Sequence, residues 1–142
     1  MPSATKTVTI NRPLDAVFAY VTDGMNGSMW RSGVLETEHV SGSGLGAVYR
    51  QGVKGPGGRR VAADYEVTAF EPGRRMAFEA IAGPVRPTGE FRFADVGGGT
   101  RVTFSLDAQL SGWKALLMGG MVQKTMDAEV NALERLKSVL EG

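Results

Sequence analysis

Between Val34 and Leu110, short glycine-rich turns cut the chain into segments in which apolar and polar residues alternate. Alternation at a period of two sends successive side chains to opposite faces, so each segment reads as a strand with one apolar face. Val34–Ser41 is closed by Gly42-Ser43-Gly44, and Ala47–Lys54 by Gly55-Pro56-Gly57-Gly58. Arg59–Phe70 puts Val61, Ala63, Tyr65, Val67 and Ala69 on one face before Glu71-Pro72-Gly73 turns the chain. Arg74–Ala82 aligns Met76, Phe78 and Ala80, and Pro87–Val96 aligns Gly89, Phe91 and Phe93. After Gly97-Gly98-Gly99, Thr100–Leu110 aligns Val102, Phe104, Leu106 and Ala108. Strands joined by loops this short are antiparallel neighbours. With one apolar face each, they need a cover on one side only.

The C-terminal segment supplies that cover. After Gly119-Gly120, the residues Met121, Val122, Met126, Val130, Leu133, Leu136, Val139 and Leu140 recur at three and four. This predicts a helix of about twenty residues, roughly 30 Å long, enough to cross a sheet. At the other end, Lys6–Ile10 alternates as a first strand, and Asn11-Arg12-Pro13 stops it. Proline suits the first turn of a helix, and Leu14, Val17, Phe18 and Val21 continue at helical spacing to Thr22. A second short helix or turn leads to Met29 and Trp30. The expected class is α+β: a curved antiparallel sheet of six to seven strands wrapped around a long C-terminal helix, with two short helices after strand 1. Neither a repeat nor a linker interrupts residues 1–142, whose length matches one domain.

Composition narrows the function. Hydrophobic residues at 42% and charged residues at 22% belong to a globular chain rather than a disordered one. A formal net charge of +1, with basic residues spread along the chain, gives no electrostatic case for nucleic acid. There is no cysteine, which excludes disulfides, thiolate metal sites and a cysteine nucleophile. Residues 1–10 lack the apolar run of a signal peptide, and no stretch approaches ~18 apolar residues, so a cytoplasmic protein without stable membrane insertion is expected.

The order of elements, together with Ile10-Asn11-Arg12-Pro13-Leu14-Asp15-Ala16-Val17-Phe18, Trp30 and the stretch Tyr65–Phe78, resembles the START-like helix-grip superfamily. The likeness is to its polyketide cyclase/dehydrase and lipid-transport branch, and it runs from about Thr5 to Leu140. It implies a curved sheet gripping one helix, with an apolar cavity between them. Fold alone does not assign activity.

Few residues invite a catalytic reading. His39 is the only histidine, and one imidazole without cysteine partners builds no zinc site, so no metal or cofactor is expected. Its strand parity leaves its direction open, and a surface or structural role is the simpler reading. Asp64, Glu66, Glu79, Glu90 and Arg92 alternate with apolar residues, which assigns them to the outer face, where a cross-strand pair such as Arg92 with Glu79 accounts for them. Gly42-Ser43-Gly44-Leu45-Gly46 leads into a strand rather than a helix, and so is a hairpin turn, not a phosphate loop.

The inner face is more informative. If Tyr65 and Val67 face the helix, so do Tyr49, Gln51 and Val53 on the neighbouring strand. Polar groups in an apolar cavity need partners from protein, water or ligand. Trp30, Phe78, Phe91, Phe93 and Phe104 supply aromatic wall, and Met118, Met121 and Met126 gather near Gly119-Gly120. All of these also fit an ordinary core. Trp113–Met118 is an apolar stretch ahead of the expected helix: a cavity lid, a dimer contact or a shallow membrane anchor, with the resemblance favouring the lid.

The inner faces hold no convincing convergent set of titratable groups. A binding protein for a small hydrophobic molecule (lipid, polyketide or aromatic), acting as carrier or sensor, is therefore favoured. A polyketide cyclase/dehydratase-type enzyme without metal, in which Tyr49, Gln51 or Tyr65 steers proton transfer, is the second reading. The third is a protein–protein interaction module using Trp113–Met118. A monomer and a homodimer are both compatible with the sequence.

Overall fold

The computed structural model describes residues 2–83, 85–110 and 112–142, for residues 56 and 114–116 the backbone alone. Strand β1 (Ser3–Ile10) leads into α1 (Leu14–Thr22), a 3₁₀ turn (Gly24–Asn26) and α2 (Gly27–Trp30). Then come β2 (Val34–Ser41), β3 (Val48–Lys54), a second 3₁₀ turn (Pro56–Gly58), β4 (Arg60–Ala62), β5 (Tyr65–Glu71), β6 (Arg75–Ala80), β7 (Thr88–Asp95) and β8 (Thr100–Asp107). Helices α3 (Trp113–Asn131) and α4 (Leu133–Glu141) complete the chain. No helix among the described residues is long and apolar enough to cross a membrane.

All strand pairs are antiparallel, in the order β1-β8-β7-β6-β5-β3-β2, with β4 added beside β3. The eighth strand arises because Arg59–Phe70 is not one strand. It breaks at Ala63-Asp64, where the Gln51 N–H donates to the Asp64 carboxylate at 3.1 Å and the Ala63 N–H donates to the Gln51 carbonyl at 2.8 Å. A side-chain oxygen stands in for a ladder carbonyl, so β3 pairs with β4 on one side of Gln51 and with β5 on the other. Asp64 is thus a half-buried structural acceptor rather than a purely outward charge.

Outward charges elsewhere pair differently from the expected Arg92–Glu79 couple. Glu79 stands opposite Thr88, and Glu90 takes both Arg75 and Arg92, at 2.5 and 2.7 Å. Burial pushes the Glu90 carboxyl up, but the hydrogen bonds from Arg75 and Arg92 outweigh it and hold the group below its usual range.

The core lies between the concave face and the helices. Ile10, Val102, Phe104, Leu133 and Leu136 are essentially sealed from solvent. Val17, Phe18 and Val21 are the buried face of α1, and Phe18 meets Phe70 and Phe93 edge-on at 5.4 and 5.0 Å. Pro13 immediately precedes α1 in an extended conformation, as its fixed φ allows.

The terminal helix begins at Trp113, eight residues before the expected Met121, and carries Gly119-Gly120 in its interior. Trp113–Met118 is therefore its first turns, not a segment ahead of it. The helix is interrupted at Ala132, whose N–H bonds to the Glu129 carbonyl at 3.1 Å, tightening the local ladder to a three-residue step. Side chains of α3 and α4 reach the outer backbone of β1. Gln123 exchanges hydrogen bonds with the Ser3 N–H and carbonyl, Lys137 donates to the Thr9 carbonyl, and Glu141 accepts from the Asn11 N–H.

Candidate functional site

A cavity of about 580 Å³ lies between the concave sheet and α3, within the size range of small-molecule sites. The sheet contributes alternate residues from five strands, as a period of two gives, namely Gln51 and Val53, Tyr65, Met76 with Phe78 and Ala80, Phe91, and Phe104 with Leu106, and β4 adds its consecutive Val61 and Ala62. Helix α3 contributes Met118, Met121, Val122, Met126 and Glu129, and the turn before β2 contributes Gly24, Gly27, Trp30 and Arg31. Val85 and Pro87 close a further side, and the wall reaches solvent at the exposed Lys54 and Met121.

The aromatic wall is continuous. Phe91 stacks on Phe104 at 4.2 Å, Trp30 meets both edge-on at 6.1 and 6.4 Å, and Phe78 bridges from this group to Tyr65 at 5.4 Å. Two glycines make room for it. Gly89 faces Phe78 across the β6–β7 ladder, where a β-carbon would run into the ring. Gly24 sits against the Tyr65 hydroxyl and within 2.6 Å, measured from an ideal β-carbon, of the Tyr49 ring.

Polar groups gather at one end. Arg31 donates from Nε to Glu129 at 2.9 Å and from Nη1 to the Gln51 side-chain oxygen at 3.1 Å. The Gln51 amide nitrogen donates to the Ala63 carbonyl at 3.4 Å, which fixes its oxygen toward Arg31. Beside them, burial pushes the Tyr65 phenol well above its ordinary value; Arg31 pulls it back only in part, and Tyr49 and Asp23 add to the rise. Tyr65 is therefore a neutral hydroxyl, and no hydrogen bond from a described residue occupies it. The charged residues of the wall are Asp23, Arg31, Lys54 and Glu129, two of each sign.

Of the residues expected to line a cavity, Trp30, Gln51, Tyr65, Phe78, Phe91, Phe104, Met118, Met121 and Met126 are brought together here. Tyr49 and Phe93 are inward and buried but stand off the wall. Tyr49 lies between His39 and Tyr65, stacked on both at 4.8 and 5.2 Å, and Phe93 is taken up by Phe18 of α1. His39 is exposed, donates from Nε2 to the Gly42 carbonyl at 2.5 Å, and is not part of the lining. Among the described residues no cluster of His, Cys, Asp or Glu has the makings of a metal site.

Sequence reading misses Arg31 and Glu129. Glu129 follows Met126 by three and Val122 by seven, so it shares their helical face, a spacing that marks it as an inward charge.

Comparison with known proteins agrees with this geometry. No curated protein matches the chain. Among solved structures, TTHA0849 from Thermus thermophilus is 22% identical with a TM-score of 0.82, covering 99% of this chain and 97% of that one. A START superfamily protein from Mycobacterium smegmatis is 16% identical with a TM-score of 0.80, covering 98% and 97%. The Zhui aromatase/cyclase from Streptomyces sp. R1128 is 18% identical with a TM-score of 0.64, covering 98% and 87%. At such identities these likenesses establish the helix-grip fold alone. The family model described as polyketide cyclase / dehydrase and lipid transport matches residues 1–141, and the chain belongs to that family.

Proposed function

We propose that this protein binds a small, largely apolar molecule between its sheet and C-terminal helix, as a carrier or sensor. The observation that carries the reading is the cavity itself: about 580 Å³, walled mainly by aromatic, aliphatic and methionine side chains, with Arg31, Gln51 and Glu129 joined in one polar cluster. An apolar wall with a few convergent polar groups is the usual form of a ligand site. Methionines on α3 add a wall that adapts to more than one shape.

The test is native mass spectrometry of the protein purified from its own host, with extraction of whatever accompanies it. A stoichiometric apolar compound supports the reading and names its class. An empty protein that also fails to bind a neutral hydrophobic dye overturns it.

A second reading is favoured by one observation, the neutral Tyr65 hydroxyl beside Arg31. In a cyclase/dehydratase-type reaction the cavity would fold a reactive chain, Tyr65 would donate a hydrogen bond to a carbonyl, and positioning would supply much of the rate. Incubation with an aromatic polyketide precursor decides this: a new product in excess of the spontaneous background supports it, and an unchanged product mixture excludes it for that substrate.

A further inference from the structure

The polar end of the cavity is built around an ion pair that is already complete. Arg31 and Glu129 have side chains only 17% and 21% exposed and meet at 2.9 Å. Gln51, itself 4% exposed, takes a second guanidinium N–H. Guanidinium has five N–H donors, so donors remain after these two bonds, and Nη2 has no acceptor among the described residues. The Tyr65 hydroxyl next to this cluster likewise has a donor to spare. The end of the cavity is thus rich in donors, while the charge of Arg31 is cancelled by Glu129; the exposed Asp23 and Lys54 add one charge of each sign to the wall.

Such a surface discriminates by charge. A ketone, aldehyde or hydroxyl oxygen accepts from Arg31 and Tyr65 without displacing anything. A carboxylate would meet a guanidinium already neutralised by the Glu129 carboxylate beside it, and would have to shed its hydration to enter. We propose that Glu129 sets the ligand class: by holding Arg31 in an ion pair it makes the polar end a site for a neutral oxygen on an otherwise apolar molecule and turns carboxylates away. This rests on the reading that the cavity binds a ligand, and it assigns to Glu129 a specificity that cavity size and wall chemistry do not give.

The test uses the intact protein and three naphthyl probes: 2-acetylnaphthalene as neutral ketone, 2-naphthoate as a carboxylate of the same bulk, and the larger N-phenyl-1-naphthylamine as neutral dye without carbonyl. The wild type should bind the ketone at least about tenfold more tightly than naphthoate, and Glu129→Gln, which removes the charge but keeps the shape, should shift that ratio about tenfold or more toward naphthoate. Arg31→Gln should weaken the ketone several-fold more than the dye, because only the ketone uses the guanidinium. The wild-type ratio needs no variant, so a Glu129→Gln protein that fails to fold does not stop the test. Equal binding of ketone and naphthoate by the wild type overturns the charge selection while the binding reading stands, as does a ratio that a folded Glu129→Gln leaves unmoved. If none of the probes, the dye included, is bound, the binding reading falls and the selection with it.

Discussion

Gly89 stands directly across the β6–β7 ladder from Phe78, and the Phe78 ring lies where a β-carbon at position 89 would be. The missing side chain lets the ring lie flat on the sheet, leaving the space above it free. In Gly89→Ala the ring has to swing off the sheet into the cavity. Because it has that room, the cost should sit at the low end of overpacking, about 1 kcal/mol by urea denaturation, while affinity for a neutral naphthyl dye falls clearly. Undiminished dye binding in a folded Gly89→Ala would show that Phe78 does not bound the ligand space.

Tyr65 should shape the alkaline limb of stability. Its phenol is raised by burial in the native state, whereas in the unfolded chain it titrates at about 10. Above that pH the unfolded state gives up its proton first, so the native state holds more protons and stability falls as pH rises. Urea denaturation from pH 8 to 11 should show a steeper decline for the wild type than for Tyr65→Phe. Parallel curves would mean that the hydroxyl is not withdrawn from water.

The end of α4 should matter on the acid side. Glu141 accepts from Lys137 and from the Asn11 N–H, both at 2.7 Å, and these bonds, Lys137 first, hold its carboxyl below the usual range. A depressed carboxyl adds stability above its unfolded pKa and loses that contribution as pH falls through the folded one. Glu141→Gln should therefore melt lower than wild type at pH 7, with the gap closing toward pH 3. A gap that persists at pH 3 would assign the effect to shape rather than charge.

Gly119 and Gly120 lie inside α3 with open space where a β-carbon would go. Each glycine weakens a helix interior by about 1 kcal/mol relative to alanine, so Gly119→Ala and Gly120→Ala should each raise stability by roughly that amount. Their neighbours Met118 and Met121 line the cavity, so the stiffer helix should also release a bound dye more slowly in stopped-flow dilution. Faster release would argue against helix stiffness as a brake on dye release.

The strands are legible in the sequence because alternation and glycine turns coincide, and Val34–Ser41 is delimited to the residue. The break at Ala63-Asp64 is not, since the apolar alternation runs unbroken through it and only the capture of the Gln51 N–H by a side-chain carboxylate divides the strand. Sequence reading misplaces the start of α3 because a glycine pair looks like a boundary, although packing on β1 and β8 outweighs its weak propensity. Parity correctly turns Tyr49 and Phe93 inward, but the inner face is longer than the cavity, and off the wall Tyr49 packs between His39 and Tyr65 while Phe93 packs on Phe18. The Arg31–Glu129 pair joins residues 98 positions apart, a relation that local periodicity cannot supply.

The hydrogen bonds from the C-terminal helices to β1 have a consequence for self-association. Gln123, Lys137 and Glu141 occupy backbone groups that an edge strand would otherwise hold out to a stranger. At the opposite edge, β2 slips register twice, between Val34 and Glu36 and between His39 and Ser41, and it carries Glu36 and Glu38. One margin is held near its two ends by helix side chains, and the other is bent and lined by the Glu36–Arg60 and Glu38–Arg50 ion pairs, so neither offers a bare, straight template for an incoming strand.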